Sequence, residues 1–106
     1  MMFRLASVAL FEQFVLILES DAEVARRMAA DVSRSGGTVI ATVPDISSML
    51  AAIETMARID SVMADAQTLA MAPIFVPEWL RSRGMQLVVI TSLDEWFLGE
   101  ETAEPR

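Results

Sequence analysis

The side chains that could do chemistry in this 106-residue chain are carboxylates and hydroxyls, because the sequence contains no His, no Cys and no Lys. Without Cys there is no thiol nucleophile, disulfide or thiolate metal site. Without His there is no imidazole base or ligand. The remaining candidates fall at the ends of apolar runs. Glu19-Ser20-Asp21 closes Phe14-Val15-Leu16-Ile17-Leu18, Asp65 closes the run from Ile59 to Ala64, and Thr91-Ser92 closes Leu87-Val88-Val89-Ile90. In a parallel sheet, neighbouring strands deliver their carboxyl ends to one edge, where loops and helix starts form a ligand crevice. Two strands that end in carboxylates can therefore build one site.

The elements that must position these groups are legible in the apolar pattern. Phe14 to Leu18 is a continuous apolar run, as expected of a strand covered on both faces. Ser20 and Glu23 have capping-box spacing, which predicts a helix starting there, with Val24, Ala25, Met28, Ala29 and Val32 on its apolar stripe. Gly36-Gly37 should stop it. Thr38 to Val43 reads as a second strand, Pro44-Asp45 as a turn and helix start, and Ile46, Met49, Leu50, Ile53 and Met56 as a second stripe. Residues 59–64 form a third strand, followed by a less regular stretch from Ala66 to Val76. Pro77 suits the first turn of a short helix reaching Arg83, and Gly84 should end it. Leu87 to Ile90 is a fourth buried strand. Ser92 and Glu95 repeat the capping-box spacing and predict a turn or more of helix through Leu98. Strands separated by helices require a parallel sheet, with expected order 2-1-3-4. The chain divides into an apolar N-terminal extension (1–13), a wound domain (14–98) and an acidic flexible tail (99–106).

The combination of Glu19-Ser20-Asp21, Asp65 and Thr91-Ser92 at three strand ends resembles the receiver domain of two-component response regulators, over about residues 14–98. The resemblance implies a flavodoxin-like α/β fold. It implies that Asp65 is the phosphoacceptor, that Thr91 is the switch hydroxyl, and that Glu19, Asp21 and Asp65 are candidate ligands for a weakly held Mg²⁺. In that family Mg²⁺ and a Lys after the fifth strand neutralise the phosphoryl charge as it transfers. This chain departs from the pattern. Ser20 stands where the second acid belongs, Asp21 comes one residue late, no Lys exists, and the sequence ends before a fifth strand and last helix of the family type. The resemblance therefore implies a stand-alone, degenerate module that is not an enzyme and acts through protein contacts, with phosphorylation weak or absent. A working phosphoacceptor at Asp65 is the alternative.

Plainer roles compete for the same residues. Asp65 also fits a turn or cap after a strand, Ser20 fits a helix cap better than a ligand, and Thr91-Ser92 fits a cap as well as a switch. The methionines at 28, 49, 56 and 63 fall on expected core faces. Trp79, Trp96 and Phe97 are hard to bury in so small a domain and read as interface anchors. A sheet truncated after its fourth strand leaves an open edge that invites pairing. The expected partner is a protein or a second copy, meeting that edge and Trp96/Phe97.

Composition narrows the classes. Net charge is −7, and the eight basic residues are all Arg, scattered along the chain, which disfavours nucleic acid. Glu12 and Gln13 interrupt the apolar N-terminal segment short of the roughly 20 residues needed to span a membrane. No small-residue cleavage site follows it. A cytoplasmic protein is expected. A small flavodoxin-like nucleotide or cofactor binder would use the same crevice, yet Glu19-Ser20-Asp21-Ala22 lacks the glycines of a phosphate loop and presents negative charge.

Overall fold

The computed structural model describes residues 10–92 and 95–98, without the side chains of 91, 92 and 95–98. The elements are β1 (Phe14–Leu18), α1 (Ala22–Arg34), β2 (Thr38–Val43), α2 (Ile46–Thr55), β3 (Ser61–Asp65), α3 (Ala66–Ala70), α4 (Val76–Ser82), β4 (Gln86–Ser92) and β5 (Glu95–Leu98). The sheet order is β2-β1-β3-β4-β5; the first four strands are parallel and β5 is antiparallel to β4. The fold is α/β and flavodoxin-like, with the parallel strands in the expected order 2-1-3-4.

The apolar runs became central strands because both sheet faces are covered. Val15, Ile17, Met63, Val88 and Ile90 pack on one face against Ala25, Met28 and Val32 of α1. Leu16, Leu18, Val62, Ala64, Leu87 and Val89 pack on the other against Met49 and Ile53 of α2 and Val76 and Leu80 of α4. Successive strand residues point to opposite faces, so one unbroken run feeds both cores. Each fully buried Leu, Ile, Val or Met contributes about 1.5–3 kcal/mol from its removal from water. Leu10 is fully buried in the α1 side of the core. It belongs to the packed body, although the sequence pattern assigns it to the N-terminal extension. Gly36, at φ 89°, ends α1 in a conformation that L side chains rarely adopt.

Three expectations are corrected. The helix expected from Ser92 to Leu98 is β5, which pairs Val88↔Leu98, Val89↔Phe97 and Ile90↔Trp96. A capping-box spacing is a purely local signal, whereas the unpaired backbone groups along β4 offer Glu95–Leu98 a full ladder, and Trp and Phe favour strands. The open β4 edge on which partner pairing was expected is consequently filled from within the chain. The cap of α1 is Asp21, whose carboxylate Oδ1 accepts from the backbone N–H groups of Glu23 (2.9 Å) and Val24 (3.1 Å); Ser20 precedes the cap. The third strand starts at Ser61 instead of 59, and the stretch after it contains α3.

Among the expected apolar positions, Met28, Met49 and Met63 are buried, while Met56 caps the end of α2 and is exposed. Trp79 is half-buried against the second core, with the Arg83 guanidinium 4.4 Å over its ring.

Candidate functional site

Sheet topology decides where the candidate groups meet. The chain leaves β1 for β2 on one side and returns to β3 on the other, so the strand order reverses between β1 and β3. Ligand crevices of open α/β sheets form outside the carboxyl ends of the strands at such a reversal. Leu18 lies in register with Ala64, and Asp65 with Ile90, so Glu19 and Asp65 follow adjacent strand ends and Thr91 follows on β4. The backbone thus brings Glu19, Asp65 and Thr91 to one edge, as expected. The Thr91 side chain lies outside the described residues, as do those of Trp96 and Phe97.

Glu19 is only 7% exposed, and its backbone N–H donates to Val43 O at 2.9 Å, extending the β1–β2 ladder by one residue. That bond fixes the side chain at the mouth of the reversal. One carboxylate oxygen, Oε2, accepts from the Asp21 N–H at 3.1 Å. The other, Oε1, is buried and has no hydrogen-bond partner among the described residues. Burial raises the Glu19 pKa; the Asp21 N–H opposes this, and the charge of the neighbouring Asp65 carboxylate adds to the rise. Two carboxyl groups side by side hold a proton or a cation between them more readily than two bare charges.

Asp65 is half-buried and caps α3, its Oδ1 accepting from the Thr68 N–H at 2.6 Å. The plainer cap reading of Asp65 is correct, and its place beside Glu19 is retained as well. Asp21, by contrast, is exposed and turned to the start of α1 by its two cap bonds. Its backbone serves the site through the bond to Glu19; its carboxylate is committed elsewhere.

A cleft of about 600 Å³ opens over this pair, lined by Glu19, Ser20, Pro44, Asp45, Ile46, Ser47, Asp65, Gln67, Thr68 and Met71. Sequence reasoning missed Asp45, Gln67, Thr68 and Met71. Asp45 could have been found, since β2 runs parallel to β1 and its following loop must reach the same edge; its capping signal drew the attention instead. The cap is real: Asp45 Oδ1 accepts from Ser48 N–H at 2.8 Å, and that bond lowers its pKa.

As a magnesium site the cleft offers two adjacent carboxylates, Glu19 and Asp65, and the partnerless Oε1 is a vacant acceptor, which suits an ion that keeps several waters. Asp21 does not join them. Among the described residues no group of three or more His, Cys, Asp or Glu could hold a metal.

No protein-family model matches the chain, and no match was found among curated proteins or solved structures. Among the described residues no helix is long and apolar enough to cross a membrane.

Proposed function

We propose that this chain is a degenerate receiver-like signalling module of the cytoplasm, acting through contact with another protein or a second copy, with phosphorylation of Asp65 weak or absent. The observation that carries the reading is the pair Glu19 and Asp65, closing β1 and β3 side by side at the strand-order reversal, in a chain without any Lys to complete a phosphoryl-transfer site. Two further features support weak chemistry. Burial, with the Asp65 carboxylate beside it, raises the Glu19 pKa, so a proton competes with magnesium there more strongly than at an ordinary carboxylate. One oxygen of Asp65 is held by the Thr68 N–H, which lowers its readiness to attack. A nucleotide binder is disfavoured because no Gly lines the cleft and three carboxylates face it. Contact between copies would use the outer side of β5, the strand that now forms that edge of the sheet.

The runner-up is a working phosphoacceptor, favoured by the position of Asp65 on the cleft wall. In it an Asp65 oxygen attacks the donor phosphorus, the donor's leaving group departs, and an acyl phosphate forms. Intact-mass measurement after incubation with a small phosphodonor and MgCl₂ separates the two. The expected result is an adduct on a minor fraction of molecules at most. Stoichiometric gain of one phosphoryl group, abolished by Asp65→Asn, would establish the runner-up.

A further inference from the structure

The cleft holds an acceptor without a partner among the described residues, Glu19 Oε1. A buried charged acceptor without a hydrogen bond is costly, and such groups in folded chains call for an explanation. Glu19 Oε1 is such a group, on a residue that lines the cleft and is 7% exposed. Asp45 and Asp65 add two more carboxylates to the wall, and none of the lining residues is basic. Five of the arginines among the described residues are engaged at other places: Arg26 with Glu23, Arg34 with Asp31, Arg58 with Asp60, Arg81 with Glu78, and Arg83 on Trp79.

Beside this acidic wall the surface turns apolar. Met71 lines the cleft and is 83% exposed, and the same loop carries Ile74 at 96% and Phe75 at 56%. Isolated exposed apolar residues are ordinary, but three within five positions of one loop, the first of them on the cleft wall, form the kind of patch that marks an interaction site. Acidic wall and apolar rim together specify the complement.

We propose that the cleft between the ends of β1, β2 and β3 receives an arginine side chain from a partner protein, with an apolar neighbour of that arginine resting on Met71, Ile74 and Phe75. The guanidinium is planar and weakly hydrated, and its parallel N–H donors are held in one fixed geometry, so it can satisfy Glu19 Oε1 and an Asp65 oxygen together at a lower desolvation cost than an ammonium. A volume of about 600 Å³ falls within the range of about 300–1,000 Å³ that holds a drug-sized group. The inference rests on reading the module as a protein-binding one and names the chemistry of the partner at this site.

The test uses the full ¹⁵N-labelled chain, titrated with a short acetylated peptide of sequence Ala-Leu-Arg-Leu-Ala, with the same peptide carrying citrulline for arginine, and with MgCl₂ alone. The arginine peptide should shift the amides of Ser20, Ile46, Thr68 and Met71 in a saturable way, and citrulline, which has the shape without the charge, should not. Glu19→Gln should weaken binding about tenfold, the loss expected for one hydrogen bond to a charged group. Asp45→Asn, which keeps an α2 cap, should weaken it less. Equal binding of the two peptides, or no shift of these amides at millimolar arginine peptide, would overturn the proposal. Saturation of the same amides by MgCl₂ with no response to arginine would overturn it too and assign the cleft to the metal. These outcomes are independent of the phosphoryl adduct, so failure here and failure of the degenerate-receiver reading are separately visible.

Discussion

The two edges of the parallel sheet carry similar side chains in opposite states of satisfaction. At the amino-terminal edge Asp60 is fully engaged: its Oδ2 accepts from the Phe14 N–H at 2.8 Å, and Arg58 Nε donates to its Oδ1 at 3.1 Å while Arg58 also forms an ion pair with it. The same guanidinium lies 4.3 Å over the Phe14 ring. Next to it Ser61 donates to Gln13 Oε1 at 2.7 Å and accepts from Gln86 Nε2 at 3.1 Å, tying β1, β3 and β4 together. At the carboxyl-terminal edge Glu19 faces another carboxylate and leaves one oxygen without a partner. Both edges are part-buried and polar, yet only one is closed on itself. A network whose members are all satisfied holds the structure, and one that is left open costs stability.

Removing each carboxylate should therefore have opposite consequences. Asp60→Ala strips a bond from the start of β1 and leaves Arg58 without its partner, and a loss of about 2 kcal/mol is expected from the broken hydrogen bonds. Glu19→Gln keeps an oxygen for the Asp21 N–H, supplies an amide that can donate to Asp65, and removes the like charge. It should leave stability unchanged or raise it by about 1 kcal/mol. Urea unfolding of the two variants at neutral pH checks the contrast; equal destabilisation would mean that the carboxyl-terminal edge is as structural as the other.

Acid titration sharpens the same comparison without altering the backbone. Burial, opposed by the Asp21 N–H and reinforced by Asp65, raises the Glu19 pKa above its ordinary 4.5, so the folded chain binds this proton before the unfolded chain does. Between those two values stability increases as pH falls, and the gain is complete below 4.5. Asp60 behaves in reverse. Burial pushes its pKa up, but the Arg58 hydrogen bond, the Phe14 N–H and the Arg58 charge outweigh it and hold the pKa below 3.8. Its contribution is present above 3.8 and is lost as pH falls through the lowered folded value. Melting temperature against pH should rise on mild acidification and fall on stronger acidification. The rising limb should flatten in Glu19→Gln and the falling limb in Asp60→Asn. A rising limb that survives Glu19→Gln would assign it to other groups.

How far the sequence revealed these two edges depended on whether the signal was local. The strands β1, β3 and β4 were legible because burial on both faces leaves unbroken apolar runs, and their parallel order followed from the helices between them. That was enough to bring Glu19 and Asp65 together. The bond from Phe14 to Asp60 was not legible, since it joins residues 46 positions apart and no local pattern marks it. β5 was misread because Ser92 and Glu95 mimic a helix start, while the pairing with β4 depends on tertiary contact. Asp45 and Met71 became part of the cleft only once the helices were placed against the sheet.

The α1 cap is the place where two local signals competed, and it gives the smallest and cleanest test. Ser20 and Asp21 are adjacent, and each precedes the helix with a side chain able to accept an N–H. The exposed Asp21 carboxylate won, taking two donors at the positively polarised helix start, where a charged acceptor gains over a hydroxyl. Its backbone N–H simultaneously holds Glu19 Oε2, so the cap and the open edge share one residue. Asp21→Ala should lower stability by about 1 kcal/mol through loss of the cap alone, with the Glu19 bond intact because the N–H remains. Ser20→Ala should change stability by only a few tenths of a kcal/mol, as for an ordinary surface substitution. Thermal melts of the two variants side by side decide it: a larger loss for Ser20→Ala would restore the serine cap and remove the reason for Asp21 to stand apart from the Glu19 and Asp65 pair.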